Sequence, residues 1–275
     1  MPNLKQYNVV MKNIITYVIA ILFSITQYSQ SKEECFANLS IFAEYAKVKN
    51  YKAAYQPWVD LKNQCPDLNS AIYVLGERML KSFIKTSDDS LKVQYQKDLV
   101  VLYDEWLQYF PKTKRGVSEV GKILAIKAQA LSDYKLADDT EILKIYDDAF
   151  SRDPKSFKSP KGLYNYFKMY FKLYKAGDPN ITLEKVFDKY EELTEKFEYE
   201  MGVYTSKLDV LLKKEENSDP LTSREIRNKK VYGVNMVACN TYLNNLNAII
   251  AKESTCENLI PLYRKNFDNF KSDTV

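Results

Sequence analysis

From Cys35 to Pro66 the apolar residues recur at helical spacing, stop, and resume. Phe36, Leu39, Phe42/Ala43 and Ala46 fall on one side of a helix. The run Lys47 to Asn50 breaks the stripe. Tyr51, Ala54, Trp58 and Leu61 then form a second stripe, which Pro66 closes. Two stripes joined by a short break predict an antiparallel helical hairpin. The same punctuation returns further on. IYDDAFSRDP, residues 145–154, carries Tyr146, Ala149 and Pro154 at matching places, and Asp138 and Glu141 stand where a capping box would start its helix. Another stretch opens on Ile72, Leu75 and Gly76 and closes on Tyr103, Trp106 and Pro111. LYKAGDP, residues 173–179, predicts a fourth turn between helices, with Phe187, Tyr190 and Leu193 on the helix after it.

Beyond residue 183 the rhythm lengthens. Phe187, Tyr190, Thr194, Phe197, Met201, Tyr204, Leu208 and Leu211 are spaced by three and four. ENSDPLTS, residues 216–223, is a turn. Val231, Val234, Ala238, Tyr242, Leu246 and Ile249 resume the three-four spacing. This predicts two long antiparallel helices over 183–251, packed along a coiled-coil-like seam. Pro261 lies early enough in the next segment to be tolerated, so a further helix is expected within 252–275.

The hairpin at 35–66 resembles a tetratricopeptide repeat, a unit of about 34 residues. In that alignment Tyr45 takes the aromatic place late in the first helix. Ala54 takes the small place where the helices touch, Trp58 the large aromatic place of the second helix, and Pro66 the terminal proline. Lys49 stands where the family has glycine, and Leu61 where it has alanine. Tyr146, Ala149 and Pro154 fill the corresponding places of a second copy. The copy ending at Pro111 is about eleven residues longer than the family's unit, so KTSDDSLKVQ (85–94) is expected to hold extra helix or loop. The resemblance spans about residues 34–200. It implies a stack of hairpins, each with an apolar face that only a neighbour can bury. It also implies that the first helices line a concave face that holds a peptide or a partner's helix. Phe36, Leu39, Ala43 and Lys47 are then the candidate partner-binding residues.

Composition narrows the chemistry. The chain has 275 residues, 45% of them hydrophobic and 28% charged, which fits a folded protein rather than a disordered one. Only 7 Gly and 9 Pro are present, few for a fold of many tight turns. Net charge is +4 and falls to +2 without residues 1–30, too weak a balance to imply nucleic acid. Histidine is absent. That excludes a Ser-His-Asp triad, a Cys-His pair and a His-ligated zinc site within this chain.

Residues 1–30 read as a secretory signal peptide. Lys12 precedes the apolar core IITYVIAILFSI (Ile14 to Ile25), and small and polar residues follow it. As a helix that core covers ~18 Å, short of the ~30 Å hydrocarbon layer, so a stable membrane span is not expected. Met11 offers an alternative start, and cleavage is expected near Gln30. No lipobox precedes Cys35. In an exported chain Cys35, Cys65, Cys239 and Cys256 are free to form disulfides. Cys35 begins one predicted helix and Cys65 ends its antiparallel partner, so those two can bond. Cys239 lies ~20 Å from the end of its helix, and Cys256 begins the next, so that pair is not expected to bond.

Three stretches imitate functional motifs. GVSEVGKI (116–123) has the Gly116, Gly121, Lys122 spacing of a phosphate-binding loop. It lacks the metal-binding hydroxyl at Ile123, and no strand precedes it. KGLYNYFKMYFKLYK (161–175) interleaves Tyr and Lys as a nucleic-acid or glycan platform would. The simpler account is a core stripe of Leu163, Phe167, Tyr170/Phe171 and Tyr174 with lysines on the wet side. EKVFDKYEELTEKFEYE (184–200) offers many carboxylates, but on a helix these pair with lysines three or four away, as Glu192 would with Lys196.

The sequence therefore predicts an all-α protein of stacked antiparallel helical hairpins: a signal peptide at 1–30, tetratricopeptide-like repeats over 31–200, a longer hairpin over 183–251 and a terminal helix. The expected role is a non-catalytic scaffold for protein–protein interaction in the bacterial cell envelope, in the periplasm or at the outer membrane. No catalytic residue, cofactor, metal or nucleic acid is expected. The alternative is a helical solute- or glycan-binding protein of the same compartment; an enzyme ranks third. The sequence leaves the oligomeric state open.

Overall fold

The computed structural model describes residues 32–272, with side chains as far as residue 264. The expected signal peptide lies outside the described residues. The chain is all-α: ten helices, with neighbouring helices packed in pairs and no strand among the described residues. It divides into two compact units, Met1–Phe110 and Pro111–Val275.

The first unit holds α1 (32–47), α2 (Tyr51–Gln64), α3 (Ala71–Thr86) and α4 (Asp89–Tyr109). The break predicted at Lys47–Asn50 is a turn in which Lys49 takes φ 60°. That left-handed conformation disfavours any residue with a Cβ, which is the physical reason glycine suits the place. Asn50 then caps α2, its side-chain oxygen accepting the Ala53 N–H. Cys65 ends α2 and lies against Cys35 at the start of α1, Cα to Cα 6.3 Å, in a disulfide. The two helices are therefore antiparallel.

The core of this unit contains Phe42, Ala54, Trp58, Leu61, Ile72, Tyr73, Tyr103 and Trp106. Trp58 donates its indole N–H to the Ile72 carbonyl at 3.0 Å. Gly76 permits this approach, because a Cβ there would come within 2.5 Å of Trp58 Nε1. Tyr45 departs from its expected packing place, being 39% exposed. The buried line of α1 is Cys35, Phe42 and Ala46; Tyr45 precedes Ala46 by one residue, a turn of about 100° around the axis, and so points outward. The extra residues before Pro111 are helix. Asp88 caps α4 by accepting the Leu91 N–H at 3.1 Å, and the added turns place Tyr95 against Phe83, ring centroids 5.0 Å apart.

The second unit holds α5 (Val120–Tyr134), α6 (Asp139–Arg152), α7 (Pro160–Lys175), α8 (Leu183–Glu216), α9 (Ser223–Ile250) and α10 (Cys256–Ser272). Asp138 caps α6, accepting the Glu141 N–H at 2.8 Å. The centre of the unit is α7, which packs against α5, α6, α8 and α9. Tyr146, Phe157 and Tyr166 stack there with centroids 5.6 to 6.1 Å apart, all buried.

The long hairpin is α8 and α9, held in antiparallel register along its length. Lys214 pairs with Glu225 at 2.7 Å and Lys229 with Glu215 near the turn. Tyr204 meets Tyr232 midway, and Tyr190 donates to Asn247 at 3.0 Å near the far end. Thr222 and Glu225 form a complete capping box at the start of α9. The α9 seam departs from the expected one in its first half. Val231 and Val234 are exposed and Tyr232 faces α8 instead, whereas Leu246 is buried and Ala238, Tyr242 and Ile249 are half-buried, as the spacing requires. The cause is a second apolar stripe on α9, Ile226, Val234 and Val237, on the side away from the seam.

Candidate partner-binding surfaces

Phe36, Leu39, Ala43 and Lys47 recur at three- and four-residue steps, so α1 carries them on one face. Phe36 is 52% exposed, Leu39 and Ala43 are half-buried, and Lys47 is exposed and pairs with Glu44 at 3.1 Å. This face is the margin between the buried line of α1 and solvent. Beside the disulfide Phe36 borders a cleft of about 510 Å³, which Lys32, Gln64, Asp67 and Leu68 also line. Ile41, Tyr45 and Val48 expose further apolar surface on another side of α1. Sequence reasoning missed Ile41 and Val48, because neither belongs to the stripe that announces the helix.

The imitation motifs resolve into structural parts. Gly116 lies in a turn, and Gly121 is inside α5. Gly121 lies so close to the end of α6 that a Cβ would meet the Asp153 carbonyl at 2.2 Å. Its N–H donates to the Asp153 carboxylate at 3.4 Å, and Lys122 pairs with Glu119 at 2.5 Å. Asp153 is buried at the C-terminus of α6. Burial pushes its pKa up, but hydrogen bonds from Ser118, Ser156 and the Gly121 N–H outweigh that and hold it below the usual carboxylate range. The would-be phosphate loop is thus a carboxylate-centred joint between α5, α6 and the turn after α6.

The Tyr/Lys stretch is α7. Leu163 and Phe167 are buried, Tyr170, Phe171 and Tyr174 half-buried, and Lys161, Lys168, Lys172 and Lys175 exposed, as a core stripe with a wet side requires. In the acidic run the pairing differs from the expected one. Glu192 pairs with Lys189 at 2.5 Å, and Lys196 with Glu200 at 2.6 Å. Lys196 is drawn to Glu200, and Lys189, nearer to Glu192, is held by aromatic rings as well. Its ammonium donates to the Tyr166 hydroxyl at 2.9 Å and sits 5.0 Å from the Tyr166 ring and 5.8 Å from those of Phe150 and Tyr170.

The arrangement of Asp147, Tyr166 and Lys189 has the outward form of an acid/base centre. Tyr166 O–H donates to Asp147. Burial first, and then the Asp147 charge, push the Tyr166 pKa far above its ordinary value. The hydrogen bonds of Asp147, Tyr166 and Lys189 tie α6, α7 and α8 together. Burial, with Glu200 nearby, pushes the Cys239 thiol up to about 11. Cys239 and Cys256 are both free thiols, the first buried and the second exposed. Among the described residues no group of His, Cys, Asp and Glu could hold a metal ion, and no helix is long and apolar enough to cross a membrane. Comparison with known protein families, curated proteins and solved structures finds no match for this chain.

Proposed function

We propose that the protein is a non-catalytic helical scaffold, of tetratricopeptide-like construction, that holds a partner protein or peptide in the bacterial cell envelope. The observation that carries this reading is the surface of α1. The edge helix of the first hairpin presents Phe36 and Lys47 on one side, and Ile41, Tyr45 and Val48 on another, to solvent. Large apolar side chains exposed on two sides of one helix fit an interaction surface better than a bare surface of the protein. The Cys35–Cys65 disulfide supports an oxidising compartment, and the sequence of residues 1–30 supports export to the periplasm.

The test is site-specific photocrosslinking in intact cells, with the full-length chain carrying the crosslinker at Lys47 or, as control, at Lys52 on α2. One recurrent envelope protein captured from Lys47, and lost with Phe36→Asp, is the expected result. Equal capture from both positions, or none from either, would remove the scaffold reading. The cleft beside Phe36 favours a second reading, a binder of a small solute or glycan. Calorimetry with a glycan panel separates it from the first, since saturable heat that Phe36→Ala abolishes belongs to the second alone.

A further inference from the structure

We propose that the basin walled by Phe150, Tyr166 and Tyr170 is a binding site for a small quaternary ammonium ion, and that Lys189 is its internal occupant and competitor. The site lies wholly within the second unit and uses no residue of the α1 face.

The chain itself displays the chemistry the basin holds. The Lys189 ammonium lies 5.0 Å from the centre of the Tyr166 ring and 5.8 Å from those of Phe150 and Tyr170. Three rings from α6 and α7 thus close around one cation carried on α8. A ring face attracts a cation within about 6 Å of its centroid, and several rings together form a cage for an ammonium group. Beside the rings opens a cleft of about 390 Å³, lined by Tyr170, Lys185, Asp188, Lys189 and Glu192. An ion from solvent can therefore reach both Tyr170 and the place that Lys189 holds.

Charge selects the sign of the ligand, with both lysines counted. Burial first, and then the charges of Asp147, Asp188, Glu192 and Asp178, push the Tyr170 hydroxyl above its ordinary value, so four carboxylates act on it. Against them stand Lys185 and Lys189, and Lys185 donates to the Asn180 carbonyl at 2.9 Å. Four negative charges against two positive ones favour a further cation and disfavour an anion.

Lys189 can yield the rings without becoming an unpaired charge. Its partner Glu192, 2.5 Å away and three residues along the same helix, is exposed and stays beside it when the side chain turns outward. The exchange gives up the ring contacts of Lys189 and the hydrogen bond its ammonium donates to the Tyr166 hydroxyl at 2.9 Å. Tyr166 keeps its own bond to Asp147. A quaternary ammonium restores the ring contacts and, having no N–H, requires no acceptor in return.

The experiment is calorimetry of the full chain with choline and with its uncharged isostere, in which carbon replaces the nitrogen. Choline should give saturable heat and bind at least about tenfold more tightly than the isostere. Lys189→Met removes the competitor and should tighten choline binding by about tenfold, because apparent affinity scales with the fraction of molecules whose site is open. Lys189→Arg keeps a cation in place, one that stacks more firmly on aromatic rings, and should weaken it. Tyr170→Leu should weaken it by about tenfold or more. Glu198→Gln, exposed on α8 outside the basin, and Phe36→Ala on α1 should leave it unchanged. No saturation in the native chain, equal affinity for the isostere, or indifference to both changes at Lys189 would each overturn the proposal. So would choline binding that appears only with Lys189→Met, which would make Lys189 a fixed tie between its three helices. Failure here leaves the Lys47 crosslinking result untouched.

Discussion

At the scale of single residues, glycine and aspartate decide more than their number implies. A helical glycine normally costs about 1 kcal/mol relative to alanine. At Gly76 that gain is unavailable, because the new methyl would sit 2.5 Å from Trp58 Nε1 and break the Trp58–Ile72 bond. Overpacking costs about 1–3 kcal/mol and a lost buried hydrogen bond about 1 kcal/mol more, so the steric effect wins. Gly202 and Gly233 have nothing within 4 Å of a built Cβ. Gly76→Ala should therefore lower the denaturant midpoint, whereas Gly202→Ala and Gly233→Ala should each raise stability by about 0.5–1 kcal/mol. Three changes of the same chemical kind with one common sign would refute this account. Asp153 makes a second case, read against pH. Its pKa is lower folded than unfolded, despite burial, because Ser118, Ser156 and the Gly121 N–H favour the charged form. A depressed carboxyl stabilises fully above its unfolded value and loses that stabilisation as pH falls through its folded value. Asp153→Asn should cost about 1–3 kcal/mol at neutral pH and flatten the loss of stability below about pH 4. Urea titrations of both proteins at several pH values measure this, and parallel pH curves would rule out the carboxylate's role.

At the scale of elements, the disulfide closes the first hairpin around a loop of 30 residues. The chain-entropy treatment assigns such a closure about 3–4 kcal/mol. Cys35→Ser with Cys65→Ser, or reductant on the native chain, should lower the stability of the first unit by about that amount; coincident denaturation curves with and without reductant would argue against the bond. That hairpin was legible in the sequence, because its stripes, its break at Lys47–Asn50 and its stop at Pro66 are local signals. The same holds for the helix ending before Pro154 and for the Asp138 cap. The first half of the α9 seam was not legible: Val234 and Leu246 are equally apolar as letters, and only the position of α8 decides which is buried. Tyr45 misled for a related reason, since an aromatic one residue off the buried line reads as core. The α1 face could be read from spacing within one helix. The rings around Lys189 could not, because Phe150, Tyr170 and Lys189 are brought together only by the packing of three helices.

At the scale of the whole molecule, the division at Phe110–Pro111 makes a claim that no single helix makes. Each unit has its own buried aromatic set, Trp58, Tyr73, Tyr103 and Trp106 in one and Tyr146, Phe157, Tyr166 and Phe197 in the other. Each therefore has the means to hold its helices together alone. The segment from Pro111 to Glu119 is short and looped. The Glu119 N–H reaches back to the Pro111 carbonyl at 2.8 Å, and the Thr113 N–H donates to the Val117 carbonyl at 2.8 Å. Lys112, Lys114 and Arg115 lie exposed in that loop. Exposed loop tips are nicked before helices, since a protease must extend the backbone it cuts and a helix resists with every hydrogen bond along it. Brief trypsin treatment should therefore cut first between Lys112 and Arg115. The two products, purified apart, should each retain the circular dichroism minima of a helical protein, because the cut crosses no helix and neither buried set is divided. First cuts scattered along α8 or α9 would mean that the long hairpin, not the joint after Phe110, is the weak place. Products that lose their helical signal on separation would mean that the two aromatic sets do not hold their units independently.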